Sequence, residues 1–100
     1  LILSLYLRLR QVLKKHMVSQ GGTAGTVVDP KIVFKIALEH LAQSVILVHN
    51  HPSGNLTPSE QDKRLTQRLV KIGRELDLPV LDHVIFTDVG YFSFADDGSL

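Results

Sequence analysis

A chain of 100 residues with 44% hydrophobic and 21% charged residues has the size of one domain and an ordinary globular composition, which excludes wholesale disorder, collagen-like repeats and low-complexity sequence. It contains no cysteine, so disulfides, thiolate metal knuckles and a cysteine nucleophile are excluded as well. The formal net charge of +1 is too small to argue for a polyanion partner by itself, and no apolar run approaches the ~20 residues of a membrane helix.

Leu1, Leu3, Leu5, Leu7 and Leu9 alternate with Ile2, Ser4, Tyr6, Arg8 and Arg10, a period of two that predicts a strand. This opening stretch has no leading basic region and no small-residue cleavage site, so it does not read as a secretory signal; the expected location is cytoplasmic. A start at Leu1 in place of Met reads as an N-terminally truncated single domain over residues 1–100. Residues 12–18 predict a second strand, and Gly21, Gly22 and Gly25 a flexible or tightly turned segment. Asp29 as N-cap and Pro30 at the first helical position open a helix whose apolar stripe is Val33, Phe34, Ala37, Leu38 and Leu41. Residues 44–50 (SVILVHN) predict a strand, with Val45 to Val48 covered on both faces.

A loop containing Pro52, Ser53, Gly54 and Asn55 then leads to Thr57-Pro58-Ser59-Glu60, which reads as a capping box with Thr57 as the cap and Glu60 reaching back. The helix that follows carries an inner stripe of Leu65, Leu69, Ile72 and Leu76, is weakened by Gly73, and ends at Leu78-Pro79. Residues 80–87 and 91–95 predict two strands joined by a turn at 88–90. This order implies a mixed β-sheet with helices packed on its faces, an α/β or α+β domain.

The segment from His49 to Asp62 carries the chemistry. His49 and His51 are two apart at a strand end, so both imidazoles project from one face. Asp62 lies three residues before Leu65, which extends the buried stripe of the second helix and turns its carboxylate toward the sheet. Ser59 lies three residues earlier on the same side. Two imidazoles and a carboxylate suit zinc, and three protein ligands leave a fourth position for water, as in a catalytic site. Ser59 is then placed to donate to an oxyanion or to orient that water. The plainer alternative is two histidines satisfied at a strand end, but it leaves a buried carboxylate unpaired, which is costly. Ser59 likewise has a plain reading as a helix N-terminal serine.

The string His49-Asn50-His51, seven residues, then Ser59-Glu60-Gln61-Asp62 resembles the JAMM (MPN+) metalloprotease signature at all four positions. Over a longer span the chain is similar to the JAB-type domain of the RadC family, through VSQGGTAGTVVDP, ILVHNHPSGNLTPSEQD and PVLDHVIFTDVGYFSF. The resemblance implies a cytidine-deaminase-like α/β/α sandwich, a Zn2+ site held by His49, His51 and Asp62 with Ser59 in support, and hydrolysis of a peptide or isopeptide bond. It also brings the family's historical DNA-repair label. JAMM enzymes use a glutamate on an early strand as general base, and this chain departs from that pattern. Glu39 is the only glutamate before His49 and lies off the apolar stripe of its helix; the family position falls at or just before residue 1.

Other features read as structural. A zinc nucleoside deaminase needs cysteine ligands, and no HExxH is present. His83 beside Asp82 reads either as a pair supporting the metal ligands from behind or, the expected role, as hydrogen bonding in the core or at the surface, and His16 and His40 are expected at the surface. Lys63, Arg64, Arg68, Lys71 and Arg74 form a ridge that is most simply a solvated helix face. Read functionally, it makes this a nucleic-acid-associated accessory domain; a metal-binding module without catalysis is the third reading.

Overall fold

The leucine alternation at the start of the chain becomes half of a hairpin. In a computed structural model, which describes residues 2–8, 11–19, 28–51 and 54–100, Ile2–Arg8 (β1) pairs antiparallel with Gln11–Ser19 (β2) through two register irregularities. The predicted glycine-rich turn at Gly21, Gly22 and Gly25, and Pro52 and Ser53 of the later loop, lie outside the described residues. β1 also pairs antiparallel with Ser44–Asn50 (β3), which runs parallel to Val80–Thr87 (β4), and β4 pairs antiparallel with Gly90–Ser93 (β5). The result is one mixed five-stranded sheet in the order β2-β1-β3-β4-β5, so the domain is of the expected α+β class. β5 stops two residues short of expectation because the Asp82 carboxylate gathers the chain there. It accepts from the Ser93 hydroxyl at 2.5 Å and from the Ala95 amide at 3.0 Å.

Helix α1 spans Pro30–Glu39, with Asp29 accepting from the Lys31 amide at 2.9 Å and Pro30 in the first turn, as its sequence requires. Its buried residues are Pro30, Val33, Phe34 and Ala37. The expected continuation of the stripe fails: Leu38 and Leu41 are 56% and 70% exposed. The helix ends at Glu39, and Leu41 turns away with φ 51°.

Helix α2 spans Glu60–Glu75, later than the sequence reading has it. The capping box is Ser59 with Asp62, not Thr57 with Glu60: the Ser59 hydroxyl accepts from the Asp62 amide at 3.0 Å, and Asp62 accepts from the Ser59 amide at 2.9 Å. Thr57 instead donates its amide to the Asn55 side chain at 2.9 Å in the preceding turn. The inner face is also shifted, to Asp62, Thr66, Leu69 and Gly73, while Leu76 at the C-cap is exposed. Gly73 is more than a weak point. Its carbonyl accepts from the Leu78 amide at 2.7 Å, and a Cβ there would lie 2.3 Å from the Leu78 carbonyl oxygen.

Both helices feed one core. Tyr6, Val45 and Leu47 point from the sheet into a cluster with Val33, Phe34, Ala37 and Leu69. The buried Tyr6 hydroxyl donates to the Val33 carbonyl at 2.7 Å, pinning α1 to the sheet. The described residues thus show the sheet and one helical layer of the expected sandwich. On β3 the other face is less protected, since Ile46 and Val48 are only half-buried. The β3–α2–β4 crossover places the start of α2 over the C-terminal end of a parallel strand, where open α/β sheets bind ligands.

Candidate metal centre

The site begins as a continuation of the core. His49 follows Val45 and Leu47 on the inner face of β3. The His51 amide donates to the Phe86 carbonyl at 3.1 Å, extending strand pairing one residue past Asn50 and keeping the second histidine on the same face. The chain then turns at Gly54, whose amide donates to the His51 carbonyl at 3.1 Å and whose φ of +81° favours glycine although the space around it is open.

From above, the capped start of α2 presents Asp62, only 5% exposed. Its Oδ1 lies 3.2 Å from His49 Nδ1 and its Oδ2 3.3 Å from His51 Nε2. The expected convergence of His49, His51 and Asp62 is therefore present, with one donor atom from each residue inside a 4.8 Å group. The two imidazole rings meet edge to face, 4.5 Å between centroids. Burial pushes the Asp62 carboxyl up, but His49 beside it and the amide and hydroxyl of Ser59 outweigh burial and hold it well below the usual carboxylate range.

The donor set fits a divalent cation on three counts. First, His51 Nδ1 lies 2.8 Å from the Asn55 carbonyl, a contact that orients the ring with Nε2 toward Asp62. Second, His49 Nδ1 is buried, yet it has no hydrogen-bond partner among the described residues despite its closeness to Asp62. Third, each imidazole nitrogen lies near one Asp62 oxygen at a spacing close to the roughly 3.3 Å between ligands of tetrahedral zinc with bonds of about 2.0–2.1 Å, and one donor atom from each residue falls within 4.8 Å of the others. The group can hold a metal ion. Ser59, the other expected site residue, is exposed at the N-cap, and its oxygen accepts from the Asp62 amide. Glu39 is exposed and paired with Lys35 at 3.5 Å, so it supplies nothing to the site.

Two further residues join the site, His83 in its less expected role and Thr66, which the sequence reading does not single out. His83 on β4 is wholly buried, sandwiched between His49 (5.9 Å between centroids, 18° between planes) and Phe94 (4.8 Å, 6°). Its Nδ1 lies 2.6 Å from the Thr66 hydroxyl, which donates to the Asp62 carbonyl at 2.7 Å. Burial, then the charge of His49, pull the His83 pKa down to about 4 against the opposing charges of Asp62 and Asp82, so its ring is neutral. Thr66 was findable: it stands four residues after Asp62, one turn along the same face. His40 also departs from the expected surface role, since it is half-buried at the C-cap of α1 with Nδ1 3.0 Å from the Ile36 carbonyl.

Comparison with known proteins gives one family. The model described as RadC-like JAB domain matches residues 2–99. A UPF0758 protein of Flavobacterium johnsoniae is 49% identical over 88 residues, covering 88% of this chain and 38% of that protein. Another, of Symbiobacterium thermophilum, is 46% identical over 90 residues, 90% of this chain and 38% of the relative. A third, of Methanosarcina mazei, is 44% identical over 97 residues, 96% of this chain and 42% of the relative. The chain thus spans about two fifths of the length of the curated relatives it matches.

Proposed function

The chain belongs to the RadC-like JAB domain family, and we propose that it is the metal-binding core of a zinc-dependent hydrolase acting on peptide or isopeptide bonds. The observation that carries this reading is the buried His49 Nδ1, which has no hydrogen-bond partner among the described residues and faces a carboxylate and a second imidazole. His49, His51 and Asp62 would hold Zn2+. When bound, the ion would supply Lewis-acid chemistry and lower the pKa of an adjacent water to about 7.

The protein groups have separable tasks. Ser59, exposed and with its oxygen accepting from the Asp62 amide, would donate its proton to the oxyanion that develops on the substrate carbonyl. The Asp62 carboxylate is anchored through Oδ2 by the Ser59 amide, with Oδ1 directed at His49 and Oδ2 also near His51. The general base would be the early-strand glutamate of the family pattern. Ile2 pairs with His49, so the start of β1 lies beside the histidine end of β3. Glu39 lies toward the other end, where the Gln43 amide bonds the Leu7 carbonyl.

Zinc should copurify stoichiometrically, and joint replacement His49→Ala with His51→Ala should abolish it; zinc retained by the double variant would remove the ligand assignment. Hydrolysis of peptide and isopeptide reporters should need the native N-terminal extension, and should be slower without it by on the order of 10²–10⁴-fold.

A second reading rests on α2. Arg64, Arg68, Lys71 and Arg74 form no ion pair among the described residues, whereas Lys31, Lys35 and Lys63 each have an acidic neighbour. Phosphate contact by this ridge would make binding to DNA steeply salt-dependent; binding that is absent at low salt would exclude it.

A further inference from the structure

We propose that His83 and Thr66 are positioning residues of the metal centre, holding two of its three ligands in place from behind without touching the ion. The inference rests on His49, His51 and Asp62 being the ligands, as argued above.

The hydroxyl of Thr66 has one proton. It is donated to the Asp62 carbonyl at 2.7 Å, so toward His83 the same oxygen accepts, and His83 Nδ1 is the donor at 2.6 Å. This assigns the neutral Nδ1–H tautomer and leaves Nε2 bare. Nε2 is buried and has no partner among the described residues. The slot between His49 and Phe94 is flat on both sides and would be filled as well by a phenylalanine. What a phenylalanine lacks is the N–H that reaches Thr66, and the fold keeps that bond although an unmatched buried acceptor is destabilising.

The bond ties β4 to the first turns of α2 at the residue whose side chain faces the histidines. Asp62 is thereby gripped twice: at its carboxylate by the Ser59 amide, and at its carbonyl by the Thr66 hydroxyl. His49 is held by the same network in a different way, since the nearly parallel face of His83 fixes the plane of its ring. His51 stands outside the network, oriented by Asn55. Groups of this kind set ligand orientation, and their loss typically weakens metal affinity by roughly 10–100-fold.

The test is titration of the chelator-stripped chain with Co2+, following the visible ligand-field bands, alongside the melting temperature of each metal-free variant. Thr66→Val and His83→Phe should each bind Co2+ about 10–100-fold more weakly than wild type and alter its ligand-field bands. Thr66→Ser, which keeps the hydroxyl, should restore both affinity and spectrum. If wild type binds cobalt and Thr66→Val and His83→Phe bind it equally well with the same spectrum, the positioning role is wrong while the metal centre stands. Weakened binding that only follows a lowered metal-free melting temperature, and that Thr66→Ser does not rescue, also overturns it. A wild-type chain that binds no cobalt overturns the ligand assignment and this inference together.

Discussion

Acidification should unfold the metal-free protein through His83, in a pH window that its burial defines. In the unfolded chain this imidazole takes a proton near 6.5, and in the fold only near 4. The folded state therefore binds fewer protons between those values, and falling pH favours unfolding. The contribution is complete above pH 6.5, declines through the interval, and is gone below about 4. At roughly 1.36 kcal/mol per unit, the drop from 6.5 to about 4 corresponds to about 3 kcal/mol, a large share of a small domain's stability. The Asp62 carboxyl is displaced in the same direction, but from a carboxylate reference, so its contribution is lost only at more acid pH. Urea unfolding followed by circular dichroism in chelator, from about pH 8 to about pH 4.5, measures the loss. His83→Gln retains an N–H but does not titrate, and should flatten the curve over that range. Equal loss in wild type and His83→Gln would refute the assignment of the window to His83.

Other residues give sharper single outcomes. Gly73→Ala should cost about 1–3 kcal/mol in urea unfolding, because its Cβ would press on the Leu78 carbonyl oxygen at 2.3 Å, a backbone atom that cannot swing aside. Tyr6→Phe should cost about 1 kcal/mol by leaving the buried Val33 carbonyl without the Tyr6 hydroxyl. Ser59→Ala removes one arm of the capping box and should lower stability by about 1 kcal/mol, with a larger fractional loss of hydrolysis in the N-terminally extended protein. Zinc at about 100 times its Kd should raise unfolding free energy by about 2.7 kcal/mol, and that increment should vanish in His49→Ala with His51→Ala.

The strands and the metal cluster were legible because each rests on a local period. Alternation in β1, the apolar run of β3 and the two-residue spacing of His49 and His51 all follow from side chains pointing to opposite faces in turn. Asp62 was legible for a related reason, one helical turn before an apolar residue. The misreadings came where two local signals competed. Thr57-Pro58-Ser59-Glu60 contains two possible caps, and the choice depended on which oxygen could meet an amide three residues on; Ser59 with Asp62 closes both bonds, whereas Thr57 bonds within the turn before it. Leu38 and Leu41 continued the stripe on paper, but α1 ends before the second of them. His83 carried no local signature, because its neighbours are distant in sequence: Thr66 is 17 residues away, and His49 and Phe94 lie on other strands or turns.

Asp62 shows why helix capping and metal binding are not independent here. Of its two carboxylate oxygens, Oδ2 already accepts from the Ser59 amide, and Oδ1 points toward His49 without a donor in line. A carboxylate that only capped the helix would gain nothing from burial beneath two imidazoles. One that only bound metal would have no need of Ser59 at the N-cap. Asp62→Asn can still accept from the Ser59 amide through its side-chain oxygen, and it removes the charge. It should leave metal-free stability within about 1 kcal/mol of wild type, yet lose Zn2+ binding. Asp62→Ala should lose both. If Asp62→Asn kept stoichiometric zinc, the carboxylate would be a cap alone, and the two histidines would need a third ligand from elsewhere.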